Sequence, residues 1–136
     1  MPSALDAATR ALETRLHAAF PTTPIAWPNV EFTAPPGKAY LQPWVLWGAG
    51  QLFTMGPSHA NRVVGVYQVN VWVPLGRGAG LSLDMSDLVR TTFNRIVVDS
   101  VRCDAPSGPA PLEEEPPWYG VAVSIPFFVH ETTSMP

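Results

Sequence analysis

Apolar residues recur at helical spacing in two segments of the chain. In the first, residues 3–20, they follow one another at steps of three or four, which places on one side of a helix Leu5, Ala8, Leu12, Leu16, Ala19 and Phe20. Ser3 and Asp6 suit the first turn of this helix, and Pro21 ends it. A second helix is predicted over residues 82–95, with Ser82 as its N-cap and an apolar face made of Leu81, Met85, Leu88, Val89, Thr92, Phe93 and Ile96.

Two longer segments alternate between apolar residues and polar or small ones, which is typical of strands. In residues 62–74 the predicted core face holds Tyr67, Val69, Val71 and Val73, and the opposite face holds Gln68, Asn70 and Trp72. In residues 118–131 the predicted core face holds Tyr119, Val121, Val123, Ile125, Phe127 and Val129. The other face of that strand is small enough for a helix or a second chain to come close, since it carries Gly120, Ala122, Ser124 and Pro126.

Shorter segments complete the prediction. Four are expected to be extended: residues 24–32 as an edge strand or irregular entry, 39–48 as a strand covered on both faces, and 50–56 and 96–103 as further strands. Three are expected to lack regular structure: the polar residues 57–61, the Pro-rich residues 104–117 and the tail, 132–136. This order predicts an α+β fold, a mainly antiparallel sheet with two helices packed on it, in a single domain over residues 1–136.

Charged residues are scarce, at 14% of 136 residues against 46% apolar ones, with a net charge of −3. Such a composition is typical of a subunit whose apolar surface is covered by partners, although a proline-rich small domain with a quiet surface would look the same. The eight Lys and Arg residues are spread singly, so no basic patch for nucleic acid is predicted.

The expected compartment is a reducing cytoplasm. A single cysteine, Cys103, excludes an internal disulfide framework. The first twenty residues carry charges throughout, unlike the apolar centre of a signal peptide, and no apolar run is long enough to span a membrane.

Candidate chemistry is weak along the whole chain. Gly76, Gly78 and Gly80 form G-x-G-x-G, which is neither the dinucleotide-binding G-x-G-x-x-G nor a phosphate-binding loop, so these glycines are expected only to turn the backbone into the helix. The histidines have no metal-ligand spacing; they are His17, His59 and His130. Cys103 is expected to be a small buried thiol and not a nucleophile. No enzyme activity, cofactor or metal is therefore predicted.

Interaction residues are the stronger expectation. Four tryptophans fall on or beside strands, and some of these rings should point away from the helices; they are Trp44, Trp47, Trp72 and Trp118. Core packing is the alternative for each ring. Three adjacent glutamates could meet a basic surface of a partner, hold a cation or simply be solvated. The predicted interaction residues are Gln51, Phe53, His59, Trp72, Arg77, Glu113, Glu114 and Glu115.

The segment GVYQVNVWVPLGRGAG and the amphipathic helix after it resemble the tail terminator proteins of long, flexible-tailed bacteriophages and their prophage relatives. The matching residues are Gly65, Tyr67, Gln68, Val69, Asn70, Val71, Pro74, Gly76, Gly78, Asp87 and Phe93. The order of elements also agrees, from an N-terminal helix through the segment GQLFTMG to the closing strands.

The resemblance implies a non-catalytic subunit that forms a hexameric ring on the head-proximal end of the tail tube. In dilute solution we expect a monomer or weak oligomer. Its implied partners are other copies of itself, the tube protein and a head-completion or connector protein, with neither a membrane nor nucleic-acid sequence recognition involved. Assembly in the host bacterial cytoplasm and then a place in the virion tail are implied. The 48–62 and 104–117 segments are the expected tube-contacting loops, and the outward faces of residues 62–74 and 118–130 the expected subunit contacts.

Two other functions fit the same sequence. One is a head–tail joining adaptor, which the partner that co-purifies would distinguish. The other is a small-molecule binding module or enzyme that uses the glycine turn and the acidic loop, which a thermal-shift screen with nucleotides and divalent metals would distinguish.

Overall fold

The computed structural model describes residues 4–52, 58–76, 80–113 and 115–134, with side chains described at all of these positions except 4, 49–52, 58–61 and 131–134. The chain begins with helix α1, Ala4–Ala19. Its predicted apolar stripe is confirmed, because Ala8, Leu12 and Leu16 are buried. Residues 24–32 form no strand, and a single parallel bridge joins Ile25 to Leu41.

Two long strands lie side by side in the middle of an antiparallel sheet. Strand β2 is Ser58–Pro74 and strand β6 is Trp118–Ser134. They pair in one continuous register from Ser58 opposite Ser134 to Pro74 opposite Trp118. At about 3.3 Å per residue, each strand is roughly 55 Å long. The predicted frayed tail is therefore wrong up to Ser134, and the last two residues lie outside the described part.

Strand β1, Tyr40–Leu52, pairs with the free side of β2. The predicted loop at residues 48–62 is wrong where it can be checked, because residues 48–52 and 58–62 belong to two paired strands of a hairpin. Residues 53–57 at its tip, and most of the strand predicted at 50–56, lie outside the described residues. The expectation that residues 39–48 are covered on both faces is also wrong, since Leu46 is 51% exposed.

Three short strands occupy the other side of β6. They are β3, Val97–Val98, β4, Val101–Cys103, and β5, Ser107–Pro111. The strand predicted over residues 96–103 is a hairpin, because Asp99 takes a left-handed φ of 51° that turns the chain between Val98 and Val101. Aspartate tolerates this conformation through local side-chain hydrogen bonding.

The Pro-rich segment is more regular than predicted. Strand β5 pairs with β6 through Ser107 opposite Ser124 and Ala110 opposite Ala122, with an irregular step between these pairs. The irregular step holds Gly108 and Pro109, and Gly108 has a φ of 103°. The described sheet runs in the order β1-β2-β6-β4-β3, with β5 also on β6. The predicted α+β class, a mainly antiparallel sheet carrying two helices, is confirmed.

The second helix, α2, is Gly80–Phe93. Ser82 is inside it and 1% exposed, so its predicted role as N-cap is wrong. The side that faces the protein also differs from the prediction: Val89 and Phe93 are buried there with Ser82 and Ser86, whereas Leu88 is 43% exposed. Residues 82, 86, 89 and 93 have helical spacing, and Phe93 packs on Tyr67 with ring centroids 5.6 Å apart.

Both helices cover the same face of the sheet. The core cluster joins residues of α1 and α2 to the odd-numbered residues of β2 and β6, among them Tyr67, Val69 and Val123. The guanidinium of Arg15 on α1 donates from Nε to the carbonyl of Thr92 in the last turn of α2, at 2.7 Å. This bond satisfies a carbonyl near the end of a helix and holds the two helices together. The other face of the sheet carries no helix among the described residues.

We expect Gly120→Ala to destabilise the protein by about 1–3 kcal/mol, because overpacking a filled site forces neighbouring atoms apart. A Cβ at Gly120 would lie 2.4 Å from the Trp72 ring. Gly80→Ala is the matched control, since a Cβ there meets nothing within 4 Å and alanine favours a helix. Chemical denaturation of the two variants measures the difference, and equal free energies of unfolding would contradict the close contact.

Candidate functional site

The sheet face without helices is the outward face on which subunit contacts were expected, and cross-strand pairing shows which residues share it. The pairs on this face include Gln42 with Asn70, Leu46 with Val66, and Val64 with Phe128. Side chains opposite one another in an antiparallel pair lie on the same side of the sheet. We call this surface the helix-free face.

Aromatic rings cover one end of the helix-free face. Trp72 lies against Gly120 and stacks near Tyr40, with ring centroids 6.5 Å apart. Tyr40 in turn contacts Trp118 edge-on at 5.1 Å and Phe32 at 5.1 Å. Trp72 does point away from the helices as predicted, but its residue is only 6% exposed. Neighbouring rings of its own chain therefore cover it, and the small residues of β6 make room for it.

A hydrogen-bonded network lies next to these rings. Gln42 Oε1 accepts from Trp72 Nε1 at 3.1 Å and from Asn70 Nδ2 at 3.4 Å. Asn70 Oδ1 accepts from Gln68 Nε2 at 3.0 Å. Because Asn70 is 3% exposed, these bonds offset the cost of burying its amide. The network fixes the side chains between β1 and β2.

The opposite end of the helix-free face is apolar and open. A shallow groove of about 320 Å³ lies there. We call it the Phe128 groove; its lining residues are Leu46, Trp47, Gly48, Arg62, Val64, Gly65, Val66, Asp104, Pro126, Phe127 and Phe128. The Arg62 guanidinium carbon lies 4.0 Å from the centre of the Phe128 ring, a cation–π contact. Arg62 Nε is buried and has no hydrogen-bond partner among the described residues.

The side of α2 that faces solvent is also apolar in part. Leu81, Leu83 and Leu88 are 40%, 51% and 43% exposed. Leu81 and Leu88 are seven residues apart, so they lie on one side of the helix, two turns from each other. Exposed carboxylates of Asp84 and Asp87 stand between them in sequence. Single exposed leucines are common on proteins, but three on one short helix that buries two serines are not.

The predicted interaction residues do not form one site. Trp72 and Glu115 lie at the aromatic end, where Glu115 bridges to Trp118 and its charge adds to burial in raising the pKa of Tyr40. Gln51 and His59 belong to the hairpin strands; at about 3.3 Å per residue, the β2 backbone separates His59 from Trp72 by roughly 43 Å. Glu113 is exposed. Three of the predicted residues lie outside the described part of the chain: Phe53, Arg77 and Glu114.

The sequence analysis expected subunit contacts on the outward faces of residues 62–74 and 118–130, but it named none of the residues of the Phe128 groove as interaction residues. Continuing the alternation of β6 beyond Pro126 places Phe128 on the helix-free face, and the same parity on β2 places Arg62 there. Strand periodicity was therefore sufficient to predict the face on which these two side chains lie. The exposure of Leu46 was not predicted, because its strand was expected to be covered on both faces.

Ionisable groups do not converge on a reaction centre in the part of the chain that the structure describes. It contains no cluster of three or more His, Cys, Asp and Glu residues able to hold a metal. His17 is exposed at the end of α1, and His130 contacts the Phe128 ring at 5.5 Å. Gly76 has a φ of 85°, so it turns the backbone after β2 as predicted. Neither of the described helices is long and apolar enough to cross a bilayer.

Comparison with known proteins identifies the family. The family model described as phage tail terminator protein matches residues 7–127. The chain therefore belongs to the phage tail terminator family, as the resemblance of its β2 segment implies, and this family is structural and not catalytic. The fold and family together make it a component of the virion tail.

Solved structures agree with the fold. One chain superposes with a TM-score of 0.73 at 28% sequence identity, covering 94% of this chain and 96% of the other. It carries no functional name, so it adds no function. A search of curated proteins found no match.

Cys103 behaves as the predicted buried thiol, since it is 5% exposed and burial raises its pKa from 9.0 to about 11. The unfolded thiol ionises near its ordinary pKa while the folded thiol stays protonated. This contribution to stability is therefore complete below pH 9 and is lost as the pH rises towards about 11.

We expect the free energy of unfolding to fall more steeply over this alkaline range in the unmodified protein than in Cys103→Ala. Tyr67 is the built-in control, because burial also raises the pKa of its phenol and it is present in both proteins. Denaturant titrations at several pH values measure the two slopes. Parallel slopes would contradict a thiol that stays protonated by burial.

Proposed function

We propose that this chain is the tail terminator of a long-tailed phage or prophage, and that its copies form a hexameric ring on the head-proximal end of the tail tube. The family match over residues 7–127 carries the proposal. The ring would stop further growth of the tube and present a surface to the head. No covalent step is required for this function.

The mechanism is steric. One face of the ring fits the last ring of tube subunits, and the other face does not offer the surface on which a further tube ring could assemble. A low content of charged residues favours such stacking, because burying an unpaired charged group at a contact costs free energy. With 14% charged residues, the subunit removes few ions from water when large surfaces are covered.

Three partners follow from this function: other copies of the chain, the tube protein, and a head-completion or connector protein. The β1–β2 hairpin is the part we assign to the tube. Its strands continue to Leu52 and from Ser58, past the residues that line the Phe128 groove. We place assembly in the host cytoplasm, before the completed tail joins the head.

We expect the protein to be monomeric when dilute and to form rings at high concentration or on tube ends. Association of modest interfaces depends on concentration by mass action. Light scattering over a concentration series up to millimolar gives the mass. Negative-stain electron microscopy with separately purified tubes shows whether rings sit at one tube end.

A protein that remains monomeric at millimolar concentration and leaves tube ends bare would contradict this function. A protein that binds isolated head connectors but not tubes would instead support a head–tail joining adaptor. An unrelated protein of similar size and charge serves as the control for non-specific binding to tube ends.

A further inference from the structure

Two apolar surfaces remain uncovered on the subunit, and they differ in shape. The Phe128 groove is a concave site on the sheet, where Leu46 is 51% exposed. The outer surface of α2, defined here by Leu81, Asp84, Asp87 and Leu88, is a convex helix side. A helix side of this kind commonly binds in an apolar groove through residues one to two turns apart.

The charges of the two surfaces are complementary. Arg62 lies in the groove, and Arg102 is directly opposite Phe128 in the β4–β6 pairing and is exposed. Asp104 is the one carboxylate among the groove's lining residues. The outer surface of α2 offers two exposed carboxylates, those of Asp84 and Asp87.

The hydrogen bonding of the Arg62 side chain is incomplete among the described residues. Its Nε atom is buried without a hydrogen-bond acceptor among the described residues, although its guanidinium lies over the Phe128 ring. A buried donor without an acceptor is unfavourable. The Arg62 residue as a whole is half-buried, so a carboxylate from outside would pair with the accessible part of its side chain. Arginine beside an aromatic ring is also a common centre of binding energy at interfaces.

The two surfaces lie on opposite sides of the sheet, since α2 packs on the face that the groove does not share. A two-fold dimer would need both surfaces of each subunit at the same interface, which their positions on opposite sides of the sheet prevent. The two surfaces produce a head-to-tail contact, which closes into a ring when the rotation between neighbours allows it.

We infer that the Phe128 groove of one subunit receives the outer surface of α2 from the next copy of this chain. The inference rests on the proposed function and names the contact that would build its ring. Leu81 and Leu88 would enter the groove beside Leu46 and Phe128, and a carboxylate of α2 would accept from Arg62. Two leucines in a shallow groove cover less surface than the roughly 800 Å² per partner of a stable interface, so the contact is expected to be weak in dilute solution.

Two single variants test this contact by complementation. Leu46→Lys alters only the groove, and Leu88→Lys alters only the helix; both positions are substantially exposed, at 51% and 43%. Val30→Lys is the matched control, because Val30 is 60% exposed and belongs to neither surface. Circular dichroism and denaturation establish that all three variants fold.

Each surface variant alone is expected to stay monomeric at concentrations where the unmodified protein and Val30→Lys form rings. Mixing the two variants leaves one intact pair of surfaces, the groove of Leu88→Lys with the helix of Leu46→Lys. Sedimentation or light scattering should then detect a one-to-one heterodimer and nothing larger. Rings formed by either variant alone, or the absence of the heterodimer, would overturn the inference.

Cross-linking gives a second measurement that does not depend on tolerance of a charge. A chain with Leu46→Cys and Leu88→Cys should form covalent oligomers on mild oxidation, whereas Leu46→Cys with Val30→Cys should not. Cys103 adds little background because it is buried. Rings and capped tubes without this cross-link would reject the contact and retain the proposed function, whereas an unmodified protein with neither rings nor capped tubes would reject both.

Discussion

The continuous pairing of β2 with β6 is the constraint on which the rest of this structure depends. From Ser58 opposite Ser134 to Pro74 opposite Trp118, the register has no interruption. Since side chains alternate between faces, a shift of one residue in either strand would exchange the two faces of the sheet. The same register puts Tyr67 and Ile125 under the helices and places Val64 beside Phe128 on the helix-free face. The core and the candidate interaction surface are therefore set by one set of backbone hydrogen bonds.

The two ends of the helix-free face differ in how far the chain itself covers them. At one end, Gly120 leaves room for the Trp72 ring, and Gln42 accepts from its indole nitrogen, so the surface is closed by the chain itself. At the other end, no described rings of the chain cover the helix-free face in this way, and the Phe128 groove results. The aromatic end of the face is thus covered by side chains of the same subunit, whereas the apolar surface of the Phe128 groove stays open to solvent. In the proposed ring, burial of this open apolar surface between subunits would favour association.

The residues made some of these features predictable and left others undetermined. Helix α1 has one apolar stripe bounded by Pro21, and β2 and β6 alternate cleanly, so local periodicity was sufficient for them. Helix α2 carries two competing stripes, one with leucines and one with Ser82, Ser86, Val89 and Phe93, and the choice between them depends on Tyr67 across the core. Strand β5 has the sequence SGPAP, without β-forming residues, and it is extended because β6 offers it a backbone edge. The Phe128 groove combines residues from β1, β2 and β6 that no local pattern brings together.

The orientation of α2 connects the folding of the subunit to its assembly. Turning the helix to bury Leu81 and Leu88 would gain apolar burial at about 25 cal/mol per Å², but it would expose part of Val89 and Phe93, which are fully buried in the observed orientation. The observed orientation instead buries Ser86, whose hydroxyl has no hydrogen-bond partner among the described residues, a cost of about 1–3 kcal/mol. Small serines let the helix approach the sheet closely, and Phe93 then reaches Tyr67. The observed orientation leaves Leu81 and Leu88 exposed. Under the proposed contact between copies, the burial of these leucines would favour association, because removing apolar surface from water is favourable.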